Sequence, residues 1–217
     1  MKKILIIASI ALFLGGCQIS ENDELVNNII SSQTESSSSI ISTPFANARK
    51  IKIYLNPSVQ IHNMYYGNVC SEADAMNIVA KKAYTLLSQD TRFIVYINDD
   101  MKNLTNSVKE SNSLKVDYHL ALHSNAGGGS GTESYFMSDS SFAQSMLDSF
   151  VKYHSFPNRG VKNGNTLYEL KNSKALNKCL IEFLYHDNKT ESKFITQNYD
   201  LLAKSIYDVF DNIASNS

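Results

Sequence analysis

Four polar side chains, His62, Glu72, His123 and Glu182, are the residues whose types and placement in this 217-residue chain could do chemistry. Two neutral imidazoles and a carboxylate make the three-ligand set of a catalytic zinc, with the fourth position left to water. A second carboxylate beside that water can take its proton as general base. The chain has no H-x-x-x-H or H-E-x-x-H motif, so the ligands would have to converge from distant positions.

Each of the four also has an ordinary reading. A histidine at the end of a strand is most often a core or surface residue that binds nothing. Glu182 stands inside the apolar run Cys179–Leu184, CLIEFL, where an unpaired charge is costly to bury. It is either functional, or an ion pair (with Arg159, for instance), or on the open face of an edge strand. His119 shares a strand face with His123 but lies four residues upstream, roughly 13 Å away at about 3.3 Å per residue, too far to share one metal. His186 reads as a surface-loop residue or, alternatively, as one that supports the site or faces the substrate. Cys70 is a conceivable soft ligand two residues before Glu72. Tyr65, Tyr66 and Tyr135 read as packing residues or as the rim of a glycan site.

The elements that must position these groups follow from periodicity. Ile51–Leu55, Phe93–Ile97, Val116–His123 and Glu133–Met137 read as strands, and the run Cys179–Leu184 as an apolar segment carrying one carboxylate. Asn56-Pro57-Ser58 breaks the first strand. Ser71 reads as the N-cap of a helix that runs to Ser88, with Glu72 and Asp74 in its first turn. Further helices are expected at 104–111, 141–154, 190–196 and 198–213. Pro157–Gly160 reads as a turn, and Leu167–Leu170 as a short strand or a turn. His123 ends its strand and opens onto Ser124, Asn125 and a Gly run, the kind of place where open α/β sheets carry their chemistry. The expected fold is α/β. It is a single domain with a mostly parallel or mixed sheet of about five or six strands and helices on both faces.

The ends of the chain read differently. Lys2 and Lys3 precede the apolar run Ile4–Leu14, which is too short for a permanent membrane span, and Leu14-Gly15-Gly16-Cys17 follows. The Leu-Gly-Gly-Cys segment resembles the lipobox of bacterial lipoproteins. That resemblance implies removal of residues 1–16 and lipidation of Cys17, which would anchor the protein to the membrane, facing the cell wall. Residues 17–49, Ser-rich and poor in core-forming side chains, read as a flexible tether. Residues 50–217 are the folded domain. The net charge of −1 offers no basic field for nucleic acid.

The longer motifs resemble those of the zinc-dependent N-acetylmuramoyl-L-alanine amidases. HSNAGGGSGTESYF at His123–Phe136 is similar to that family's strand-end histidine, Asn-Ala and Gly-Thr-Glu strand. NRGVK at Asn158–Lys162 resembles its Arg-Gly-Val turn, and LIEFLYHDN at Leu180–Asn188 its glutamate strand. NPSVQIHN at Asn56–Asn63 resembles the variant in which Pro-Ser-x-Gln-x-x-Asn follows strand one. The resemblance implies one zinc ion held by His62, Glu72 and His123, with Glu182 as the catalytic glutamate. The substrate would be the amide between muramic acid and the L-alanine of peptidoglycan, with Arg159 and Asn125 touching it and the protein acting as a monomer. The chain departs from the common members in lacking a Gly-His-Gly-Gly loop. His62 is assigned as first ligand because it is the only histidine between strand one and Glu72. Two other readings stay open: a wall-binding module of the same fold with weak chemistry, or a zinc hydrolase of another exported amide.

Overall fold

A computed structural model describes residues 49–217. The signal segment, Cys17 and nearly all of the tether lie outside the described residues. In chain order the elements are β1 (Ile51–Pro57), α1 (Glu72–Ser88), β2 (Phe93–Ile97), α2 (Leu104–Leu114), β3 (Tyr118–Asn125), β4 (Thr132–Phe136), α3 (Ser141–Val151), β5 (Asn158–Asn163), α4 (Tyr168–Asn172), β6 (Asn177–Tyr185), α5 (Lys189–Gln197) and α6 (Tyr199–Ser215).

The strands form one sheet in the order β2-β1-β3-β6-β4-β5. β2, β1, β3 and β6 are parallel. β4 runs antiparallel to β6, and β5 runs parallel to β4. The α/β reading with a mixed sheet therefore holds. Helices cover both faces, but the apolar packing is concentrated on one of them. Ile53, Leu55, Leu120, Leu122, Ile181 and Phe183 face the large core built with α1, α3 and α6, through Met76, Val79, Phe150, Leu202 and Ile206 among others. The alternate residues turn the other way. Tyr54 packs with Val116 and Ala175, and Ala121 and Leu180 pack with Leu170 of α4. His123 and Glu182 continue this second set along their strands.

Ser71 caps α1 as expected. Its hydroxyl accepts from Asp74 N at 3.1 Å, and the Asp74 carboxylate accepts from Ser71 N at 3.1 Å. This closed box makes Glu72 the first residue of the helix, next to the strand ends.

Two local expectations are corrected. The segment after Pro157 is an edge strand rather than a turn. Its sequence NRGVKN is mostly polar and half exposed, and its strand conformation comes from pairing with β4, which local periodicity does not encode. The segment expected as a strand or turn at Leu167–Leu170 is the entry to the short helix α4. The β3–β4 loop is tied down at Gly131. Its φ is +102°, and a Cβ there would lie 2.1 Å from the Pro157 carbonyl oxygen, so only glycine fits. Glu191, fully buried, accepts from Ser130 Oγ, from Gly131 N at 2.9 Å and from Tyr185 N at 2.7 Å, which fixes the other side of the same loop.

Candidate active site

Three acidic or basic side chains stand in a row across the sheet. His123 is the register partner of Glu182 on β6, and Glu182 is the register partner of Glu133 on β4. Neighbouring strands lie about 4.8 Å apart, which sets the spacing of the row. The β3–β6 register shifts between His123 and Asn125, an irregularity that re-aims the side chains at the strand end.

Glu72 meets His123 from above the sheet. Its Oε1 lies 2.9 Å from His123 Nδ1 and accepts from Ser124 N at 3.3 Å. Its Oε2 accepts from Asn63 Nδ2 at 2.9 Å. Burial alone would raise the Glu72 pKa, but the hydrogen bonds from His123 and Asn63 prevail and hold the carboxyl below its ordinary range. Burial likewise disfavours charge on His123, but Glu72, Glu182 and Glu169 outweigh it and push the imidazole up to about 9. Glu182 shifts in the opposite sense to Glu72. Its desolvation dominates, and Glu72 and Glu133 add repulsion, so the carboxyl rises to about 7 even with His123 nearby. Glu182 Oε2 is buried and has no hydrogen-bond partner among the described residues. A carboxyl poised near neutrality with a vacant lone pair is suited to taking and returning a proton. Sequence left an ion pair with Arg159 open for Glu182; Arg159 pairs with Glu133 instead.

Behind His123 lies a buried chain that sequence reasoning missed. Glu169 Oε1 lies 2.6 Å from His119 Nε2 and also accepts from Asn56 Nδ2. His119 Nδ1 faces Ser111 Oγ at 2.8 Å. The second oxygen of Glu169 lies 4.0 Å from His123 Nε2. His119 thus reaches the site through Glu169. The signal available was the acid in Tyr168–Leu170, but a five-residue helix carries too little periodicity to show which way it faces.

Glu133 organises the other end of the row. It is buried and accepts from Asn125 Nδ2 at 3.0 Å, Tyr135 Oη at 2.6 Å, Arg159 Nε at 2.6 Å and Lys162 Nζ. Arg159 and Lys162 are each about a third exposed and flank the row on the solvent side. Asn125 and Arg159 therefore meet at one acid, and Lys162 joins them.

Of the four residues singled out, Glu72, His123 and Glu182 come together. His62 does not: it is exposed on the turn after β1 and makes no hydrogen bond, ion pair or ring contact to a described residue. His186 is corrected from a surface loop to a buried position. It stacks on Tyr65, with ring centroids 5.4 Å apart, and its Nδ1 lies 3.0 Å from Ser124 Oγ. Cys70 is buried, and Cys179 is a free thiol within the core. Tyr65 packs inside, whereas Tyr66 is exposed at the rim.

The residues present fit a divalent cation in part. Glu72 and His123 supply a carboxylate oxygen and an imidazole nitrogen converging on one point, and three carboxylates act on that one imidazole. Among the described residues, however, no third His, Cys, Asp or Glu completes a metal-binding group.

The N-acetylmuramoyl-L-alanine amidase family model matches residues 62–212. Among solved structures, the chain is similar to an N-acetylmuramoyl-L-alanine amidase from Clostridium difficile 630, with a TM-score of 0.68 at 20% identity over 76% of this chain and 97% of that one. It is similar to the catalytic domain of the amidase CwlV from Bacillus (Paenibacillus) polymyxa, with a TM-score of 0.69 at 20% identity over 76% and 98%. It is also similar to the amidase AmiC2 of Nostoc punctiforme, with a TM-score of 0.70 at 15% identity over 78% and 99%. These likenesses establish a shared fold. No curated protein matches the chain.

Proposed function

The chain belongs to the N-acetylmuramoyl-L-alanine amidase family and hydrolyses the amide joining N-acetylmuramic acid to the L-alanine of peptidoglycan; we propose that it does so with one zinc ion held at Glu72 and His123 and with Glu182 as general base. The observation that carries this reading is the buried, unpartnered oxygen of Glu182 in register with His123, whose Nδ1 in turn faces Glu72.

Zinc bound there supplies Lewis acidity, polarising the scissile carbonyl and acidifying a water molecule. The chain's own groups do the rest. Glu182 accepts a proton from the attacking water and returns it to the leaving nitrogen of L-alanine. Glu169, with an oxygen 4.0 Å from the far nitrogen of His123, places a negative charge behind the imidazole. Arg159 and Lys162, braced by Glu133, offer guanidinium and ammonium donors to a carboxylate of the stem peptide.

Lipidation of Cys17 would supply the localisation, holding residues 50–217 off the membrane on the Ser-rich tether, within reach of the wall. The Leu14-Gly15-Gly16-Cys17 segment supports this. Among the described residues no helix is long and apolar enough to cross a membrane.

The test is a wall-digestion assay with the full-length protein in detergent. New L-alanine amino termini appear with time, a chelator stops their release and zinc restores it. Glu182→Gln retains the bound metal and loses the activity. Undiminished release by Glu182→Gln would remove the assigned base.

A further inference from the structure

Among the described residues no third His, Cys, Asp or Glu joins Glu72 and His123 as a zinc donor, and His62 is not placed to be one. A different side chain is. After β1 the chain folds back over the strand ends: Ser58 N donates to Leu122 O at 2.9 Å, and Gln60 N reaches Ser58 Oγ at 3.3 Å. This turn lays the Gln60 amide against the histidine, with its Nε2 3.4 Å from His123 Nδ1. Gln60 Oε1 accepts from Asn63 Nδ2 at 2.7 Å, and the same Nδ2 donates to Glu72 Oε2 at 2.9 Å. With Glu72 Oε1 at 2.9 Å from His123 Nδ1, four side chains close a ring: Gln60, Asn63, Glu72 and His123. His62, two residues after Gln60 and exposed as Gln60 is, lies outside it.

Both Glu72 and Gln60 face the same ring nitrogen, Nδ1, whereas Glu169 faces the opposite one, Nε2. A cation at Nδ1 would therefore be within reach of the first two and not of Glu169. The amide carries an oxygen and a nitrogen on one planar group, and a half-turn of its last torsion exchanges them. That motion directs the Gln60 oxygen at the point Glu72 and His123 share, giving up the hydrogen bond from Asn63. Side-chain amide oxygens are accepted metal donors, better matched to hard cations than imidazole is.

We propose that Gln60, through its amide oxygen, and not His62, is the third protein donor to the metal held by Glu72 and His123. This rests on the metal-hydrolase reading above and refines it. The resulting set has one nitrogen and two oxygens in place of two nitrogens and one oxygen. With an imidazole replaced by a neutral oxygen, the site binds zinc less tightly and discriminates less between zinc and a harder ion such as Mn2+.

The experiment is metal binding by the metal-stripped full-length protein, measured by calorimetry with Zn2+ and with Mn2+ on wild type and variants. The visible spectrum of the Co2+ form reports the ligand set, and circular dichroism confirms the fold. Gln60→Ala weakens Zn2+ binding about tenfold or more, and His62→Ala changes it by less than about twofold. Gln60→His tightens Zn2+ relative to Mn2+ and shifts the Co2+ spectrum, which a merely structural glutamine would not do. Loss of Zn2+ affinity in His62→Ala with no loss in Gln60→Ala overturns the proposal, as does an unchanged Zn2+ affinity in both. Glu72→Gln separates the levels: if it too leaves Zn2+ affinity unchanged, the metal reading itself fails rather than the choice of Gln60.

Discussion

His123 and Glu182 are 59 positions apart in the sequence and adjacent in the sheet, partners in register across β3 and β6. Both lie on the face opposite the large core, beside the small cluster that α4 covers. The sheet itself thus brings an imidazole and a carboxyl together, and no flexible loop is needed to hold them. Glu72 then reaches the same imidazole from the first turn of α1.

One oxygen of the Glu182 carboxyl, Oε2, is buried without a hydrogen-bond partner among the described residues, a desolvation the fold bears for the sake of chemistry. Glu182→Gln is expected to lower kcat by about 10²–10⁴-fold, the usual contribution of a positioned acid–base group. The same change is expected to leave the thermal midpoint unchanged or to raise it. Scanning calorimetry beside the wall-digestion assay checks both, and a large fall in midpoint would show the carboxylate to be structural.

Glu133 is predicted to set part of the acid stability. Burial would raise its pKa, but Lys162, Tyr135 and Arg159 hold it down to about 2 in the fold, against 4.5 without them. A depressed folded-state pKa contributes stability above the unfolded value and loses it as the pH falls. The contribution should therefore be full above about pH 5 and fade between about 4.5 and 2. Urea midpoints measured at steps from pH 6 to pH 2 should fall more steeply for wild type than for Glu133→Gln. Parallel curves would exclude this assignment.

Glu169 is predicted to be a positioning residue. Glu169→Ala removes the carboxylate 4.0 Å from His123 Nε2 and leaves His119 buried with one ring nitrogen unpaired. Partners of this kind change metal affinity by about 10–100-fold when removed. The expectation is a fall in zinc affinity of that order, with partial recovery in Glu169→Gln, which keeps an acceptor oxygen. Equal zinc binding in all three proteins would assign Glu169 to packing alone.

The loop between β3 and β4 is predicted to depend on one buried acid and one glycine. Glu191→Ala strips acceptors from Ser130, Gly131 and Tyr185, and charged hydrogen bonds contribute about 1.5–3 kcal/mol each. A loss of about 3 kcal/mol or more in unfolding free energy is expected, read by denaturant titration. Gly131→Ala places a methyl against the Pro157 carbonyl at positive φ and should also destabilise the fold, whereas Gly128→Ala, with open space around it, should do so less.

Much of this protein could be read in its sequence, for reasons that lie in local chemistry. β1, β2, β3 and β4 carry enough apolar alternation or continuous apolar character to declare themselves, Cys179–Leu184 of β6 declares an apolar segment but not its type, and Ser71 with Asp74 declares the start of α1. Glu182 was conspicuous because a carboxylate inside CLIEFL has to be explained, and Glu72 because a helix start beside a strand end has a fixed direction. What stayed hidden was decided by partners. β5 is mostly polar and half exposed and is a strand only because β4 lies alongside it. Glu169 and His119 matter only because α4 folds across the sheet to the far nitrogen of His123. The choice between Gln60 and His62 turns on two residues in a reversing loop, where side-chain direction follows from backbone hydrogen bonds to β3 and not from residue type. Composition and periodicity specify which elements form and which groups could react; the distances between those groups exist only once the sheet has closed and the loops have been fixed onto it.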